Sequence, residues 1–130
     1  MAAETGRKHA ICRSRELVER GRGVRFKVSR RGVVVPAFVI RFEGKAHAYL
    51  NQCAHRMLEL DWNAGDFFDA FGEHLLCATH GARYAPASGV CVGGPCARAG
   101  LVKLAVIEEN GDVCLETGNE VHLVNSDALT

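Results

Sequence analysis

Two short segments constrain this chain more than anything else in it: Cys53-Ala54-His55 and Cys77-Ala78-Thr79-His80. Each offers one thiol and one imidazole. In an extended loop, residues i and i+2 project to the same side, so Cys53 and His55 can face one point. Where the chain turns, residues i and i+3 meet, so Cys77 and His80 can do the same. Any fold that uses all four must bring together two loops separated by 21 residues.

Two kinds of metal site take two sulfur and two nitrogen ligands. One is tetrahedral zinc. The other is a [2Fe–2S] cluster with cysteines on one iron and histidines on the other. Zinc fingers usually pair like with like, cysteines in one segment and histidines in the next. Here each loop supplies one of each, which suits a two-iron rhomb that both loops span. A Cys₂His₂ zinc module, structural or interaction-bearing and without redox chemistry, is the alternative.

The surrounding sequence reads as β-structure. "VRFKV" (24–28) alternates, and "VVVPAFVIRF" (33–42) is a long β-branched and aromatic run interrupted by Pro36. Proline cannot donate to a ladder, so Pro36 should break the run or mark an edge or bulge. "AHAYL" (46–50), "ARYAP" (82–86), "GVCV" (89–92), "VKLAVIEE" (102–109) and "DVCLE" (112–116) are further strand candidates. Turns are expected at 30–32, at 43–45 and at Asn110-Gly111, a pair that favours positive φ. A turn or two of helix is expected near 57–71. Residues 1–10 and the tail from Thr117 read as loose ends. Short strands between glycine turns argue for an antiparallel sandwich or barrel. The length of 130 residues suits one domain, 1–130.

The two loops resemble the Rieske signature, C-x-H followed by C-x-x-H-G. Gly81 follows the last histidine, Tyr84 stands four residues beyond it, and "SGVCVGGP" (88–95) is similar to the family's downstream segment. The resemblance covers roughly residues 15–117. It implies an all-β Rieske iron–sulfur fold, with stacked antiparallel sheets and a small cluster-binding subdomain at about 51–96. It implies one [2Fe–2S] cluster held by Cys53, His55, Cys77 and His80. It also implies a one-electron carrier rather than an enzyme, passing electrons between a reductase and an oxygenase or other terminal reductase. The small Rieske subunit of a nitrite reductase is similar enough to be a second version of that reading. The potential of such a centre should fall with pH above the histidine pKa values of the oxidised state. The oxygenases of this kind carry a second, iron-bearing domain, for which the chain leaves no room, so a stand-alone carrier is expected.

Within that resemblance, Gly81 would let the backbone approach the cluster sulfurs, and Pro95 would wall off a third side. Met57 or Leu58 would cap the cluster from the first loop, or equally be a plain core residue. Tyr84 would either donate its hydroxyl to a ligand-cysteine sulfur or pack as a plain aromatic. Rieske proteins of bc-type complexes add a disulfide between the loops, at positions that fall on Leu58 and Thr79 here, so that bridge is missing. Their serine two residues after the last histidine is Ala82 here. Losing that hydrogen bond implies the low end of the roughly −150 to +300 mV range.

The other cysteines and histidines carry less. Cys12 and Cys114 read as buried inert thiols. Cys91 and Cys96 flank the Gly-Gly-Pro turn and could form a labile disulfide or a redox sensor; free thiols are the favoured reading on compartment grounds, since no signal peptide is visible and a cytoplasmic location is expected. His74 is a decoy expected to face solvent, and His9, His47 and His122 read as structural or surface residues.

Net charge is +1, which does not point to nucleic acid. Residues 1–32 nonetheless hold ten Lys/Arg, while the insert between His55 and Cys77 holds five acids and one base. The basic stretch reads as a solvated strand face. The acidic insert reads as a local mini-core with a solvated face, or as a rim orienting a basic partner. No apolar stretch approaches the roughly 18 residues of a membrane span.

Overall fold

The run Val33–Phe42 forms one strand, β3, and the other elements are arranged around it. The computed structural model describes residues 7–52, 59–61, 65–78, 81–95, 100–117 and 121–124. β3 pairs antiparallel with β2 (Val24–Arg30) on one side and β4 (Lys45–Leu50) on the other. Strands β8 (Lys103–Leu104) and β11 (Val121–Leu123) complete a five-stranded sheet in the order β11-β2-β3-β4-β8.

The middle of this sheet, 37–40 of β3 with 48–50 of β4, is buried on both faces, which is why β3 needs an almost unbroken apolar run. Phe38, Ile40 and Tyr49 point into one core, with Leu60, Phe67, Leu75, Cys77, Ala82 and Tyr84. The Phe38 and Phe67 rings stack there at 3.9 Å. Val35, Ala37, Val39, Ala48 and Leu50 point into a second core, with Leu17, Val28, Val113 and Leu115. Over the second core lies the sheet β1-β10-β9, made of β1 (Arg7–Arg13), β10 (Asp112–Thr117) and β9 (Val106–Glu109). Over the first lies a small sheet of β5 (Leu75–Leu76), β6 (Arg83–Tyr84) and β7 (Cys91–Gly93). The all-β, stacked antiparallel expectation is met.

Pro36 does not break β3. It sits opposite Lys27 of β2, one residue beyond the last β3–β4 pair, Ala37 with Leu50. The Pro36 carbonyl accepts from Asn51 N–H at 2.8 Å. In an antiparallel ladder the nitrogen and carbonyl of one residue face the same neighbour. The missing N–H therefore falls where β4 has already ended.

Three expected turns are two-residue hairpins with paired positive φ: Arg31-Gly32 (52° and 80°), Glu43-Gly44 (52° and 81°) and Asn110-Gly111 (54° and 79°). Such turns match the twist of the strands that they join.

Four expectations differ. Residues 7–10 are not a loose end but half of β1, paired with β10. Val121–Leu123 pairs with β2 rather than fraying. The run 102–109 splits, with Lys103–Leu104 on β4 and Val106–Glu109 on β10. Among the described residues of 57–71 there is no helix. The described helical element is a 3₁₀ turn at Ser14–Glu16, and no helix there is long and apolar enough to cross a membrane.

Arg41 fastens the central sheet to the β1-β10-β9 sheet. Its guanidinium meets the Glu108 carboxylate at 3.0 and 2.7 Å, while Nε donates to Leu17 O at 2.9 Å. The hydrogen bond from Arg41 holds the Glu108 carboxyl below its ordinary value of 4.5, against the upward push of burial. A lowered carboxylate pKa contributes stability above the ordinary value, and that contribution is lost as pH falls through the folded one. Glu108→Gln should therefore cost about 1–2 kcal/mol at pH 7. The gap to wild type should close well below pH 4.5, as urea titrations at both pH values would show.

Candidate metal centre

The loop from Cys77 to Ala82 closes the β5–β6 hairpin. Cys77 N–H donates to Ala82 O, and Gly81 N–H donates to Cys77 O, each at 2.8 Å. Cys77 is a thiol rather than half of a disulfide, and it is fully buried. Gly81 has φ of +75°, and a Cβ built there would meet none of the described residues within 4 Å. Its left-handed φ is by itself a reason for glycine.

A third wall closes on this loop from β7. A Cβ on Gly94 would lie 2.6 Å from Gly81 O and 2.9 Å from Ala82 Cα. The Gly93-Gly94-Pro95 turn therefore lies against the second loop at Gly94, with Pro95 exposed.

Of the four expected ligands, Cys77 is described; Cys53, His55 and His80 lie outside the described residues, as do Met57, Leu58, Thr79 and Cys96. The flanks of the first loop are described, and they hold what the sequence reading missed. Asn51 and Asp61 are buried polar residues. Leu60 N–H donates to Asn51 Oδ1 at 2.8 Å, and Asn51 Nδ2 donates to Asp61 Oδ1 at 2.9 Å. Asp61 Oδ2 accepts from Gly65 N–H at 2.9 Å and lies 3.2 Å from Arg25 Nε. Arg25 also meets Glu59 at 2.8 Å. The available signal was an asparagine directly after a strand and an aspartate amid apolar residues, neither of which names its partner.

Part of the charge asymmetry cancels on folding. Arg22 lies 3.5 Å from Asp66, and Arg25 pairs with Glu59 and Asp61. Asp69 meets Arg83 at 2.6 Å. Burial pushes the Asp69 carboxyl up, but the N–H groups of Glu73 and His74, the Arg83 charge and the Phe71 N–H hold it below its ordinary value. The insert is thus a mini-core with compensated acids rather than a bare acidic rim.

The other candidates sort as follows. Tyr84 is fully buried in the core that holds Cys77. His74 is partly exposed, with Nδ1 3.5 Å from Asp69. Burial pushes the Cys12 thiol up to about 11 and raises that of Cys114; Cys114 is buried as expected, whereas Cys12 is half-buried. Cys91 is disulfide-bonded, which corrects the thiol expectation for it; its partner lies outside the described residues. Among the described residues, no three His, Cys, Asp or Glu side chains form a metal-holding group.

Residues 7–115 match the Rieske [2Fe-2S] domain. The chain belongs to that family. No curated protein matches the sequence. Among solved structures, a ferredoxin of Sphingomonas yanoikuyae B1 aligns at TM-score 0.66 and 22% identity, over 85% of this chain and 99% of that one. The ferredoxin of carbazole 1,9a-dioxygenase from Nocardioides aromaticivorans IC177 gives 0.65 and 19%, over 84% and 96%. The terminal oxygenase of the same system gives 0.69 and 22%, over 89% of this chain but 31% of the oxygenase. The Rieske fold is common to all of them.

The described residues fit the cluster of this family. Cys77 offers a buried soft donor, and a Cβ on Gly81 would meet none of the described residues. Gly94→Ala should disturb this arrangement. It adds a clash with Gly81 O to a left-handed φ of +79°, and should cost about 2 kcal/mol or more. Gly32→Ala has a similar φ with nothing within 4 Å, and should cost only about 1–2 kcal/mol. Thermal melts of the two variants, with the rate of cluster bleaching, separate clash from backbone strain.

Proposed function

We propose that this protein is a ferredoxin-like electron carrier in which Cys53 and Cys77 bind one iron of a single [2Fe–2S] cluster, and His55 and His80 the other. Such a cluster supplies a one-electron couple. The carrying observation is the family match over residues 7–115, with Cys77 placed as a buried thiol beside the Gly81 turn. The residues themselves do three things. The Cys77–Ala82 hairpin presents a soft donor from an apolar core. The Gly94 turn shields that hairpin from one side. The Asn51–Asp61 contacts hold the flanks of the first loop.

The proposed exchange partners are a reductase on one side and an oxygenase or other terminal reductase on the other. One solved relative is by name the ferredoxin of a dioxygenase system, and its match extends over 96% of that ferredoxin.

The test is an absorption spectrum of the purified protein, followed by low-temperature EPR after dithionite. Visible sulfide-to-iron charge-transfer bands and a reduced S = 1/2 signal of low average g are expected. A colourless protein with one bound zinc, taking no cluster on anaerobic reconstitution, would overturn the reading. Ala82 is fully buried at the position where bc-type relatives place a serine. Ala82→Ser should raise the reduction potential by protein-film voltammetry, because a hydroxyl donor to a sulfide stabilises the reduced state.

A further inference from the structure

We propose that Asn51, Asp61 and Arg25 form a clasp that couples the two ligand loops, and that this clasp performs the task given to an interloop disulfide in bc-type relatives. The proposal rests on the cluster reading above and deepens it. All three are positioning residues.

Leu60 is the junction. Its N–H donates to the Asn51 side chain, and its carbonyl accepts from Ala78 N–H at 3.0 Å. Asn51 stands two residues before Cys53, and Ala78 directly follows Cys77. One residue thus touches the entry of the first loop, forms its exit, and bonds the second loop. Asn51 is itself fixed to the platform, because its N–H donates to Pro36 O at 2.8 Å. That bond uses the carbonyl beside the point where β4 leaves β3.

The amide of Asn51 has only one orientation that satisfies both neighbours. Its oxygen must accept from Leu60, so its nitrogen must face the Asp61 carboxylate. Asp61 therefore decides which way Asn51 points. The Asp61 side chain is 0% exposed, and a carboxylate so buried needs several partners. It has Asn51, Gly65 N–H and Arg25. Arg25, 42% exposed in its side chain, connects this group to solvent and meets Glu59 on the way. Asn51, Leu60 and Asp61 are all buried, so solvent does not compete for these bonds.

The sequence shows why such a clasp is needed. The positions of the bc-type bridge are Leu58 and Thr79, so no cysteine pair there links the loops. A site whose ligands come from two loops holds its geometry only as well as those loops are held to each other.

The experiment compares wild type with Asn51→Ala. Amide hydrogen exchange should rise roughly tenfold or more at both Leu60 and Ala78, while Val28 and Val113 in the second core stay protected. Cluster retention should shorten by a similar factor, with a shift in the reduced EPR g values. Where Asn51→Ala fails to fold, Arg25→Gln reads the same quantities from the exposed end of the clasp. In the Asn51→Ala background, Leu58→Cys with Thr79→Cys should restore retention when oxidised and lose it again with dithiothreitol. Unchanged exchange at Ala78 would overturn the proposal. So would a retention that the closed bridge leaves short. A wild-type protein that takes no cluster would sink the carrier reading instead, and exchange at Leu60 and Ala78 would still decide the clasp.

Discussion

The burial of β3 and β4 on both faces is the constraint from which the rest follows. A strand with one wet face can slip or bend at little cost. Here a slip of one residue would exchange Phe38 and Ile40 with Ala37 and Val39 between two cores of different shape. Register is therefore fixed from both sides. The β5-β6-β7 sheet inherits that rigidity, because Phe67 stacks on Phe38 and because Gly23 leaves room where a Cβ would meet Ile40 and Phe67 at 2.8 Å. The end that carries Cys77 is thus built on a platform with very little freedom.

Electrostatics plays a quieter part than the sequence suggests. The arginines of the first strand region and the acids of the insert lie far apart in the chain but adjacent in space. Exposed pairs such as Arg22 with Asp66 contribute little individually. Their joint effect is to cancel the field that either group would project alone. The exception is Arg25, whose partner Asp61 is buried, so that this pair fixes structure rather than surface potential. A charge pattern in a sequence is therefore a statement about the surface only after pairing is known.

Legibility followed the range of the interaction. The three X-Gly hairpin turns were readable because their chemistry is local, and so was β3, because a doubly buried strand writes a continuous apolar run. The pair Cys77 and Gly81 was readable from motif spacing. What escaped was set by distant partners. Residues 7–10 look like a polar terminus and become a strand only because β10 offers an edge. Residues 102–109 look like one strand because nothing local announces that Ala105 passes between two sheets. The aromatic insert suggested a helical turn, whereas Phe68 bridges to Leu75 and Phe67 takes its place in the core. Asn51 and Asp61 escaped for the same reason, since each is meaningful only opposite the other.

The same distinction bears on how a small electron carrier can work. One-electron exchange is fast when the site changes little between its two states, so ligands must be held by surroundings that do not rearrange. Loops alone do not provide this, because each ordered loop residue loses conformational entropy that local contacts must offset. A loop that leaves a fixed strand and is bonded at its exit to a second fixed loop has far less freedom to begin with. In this chain the hairpin bond of Cys77 to Ala82, the contact of Gly94 with Gly81, and the bond of Ala78 to Leu60 act on one short hairpin from three directions. Each is a backbone or glycine contact, with no long side chain to reorient. Rigidity around Cys77 is thus built from short-range backbone geometry laid over a doubly buried sheet, and the polar residues that orient it are kept out of water.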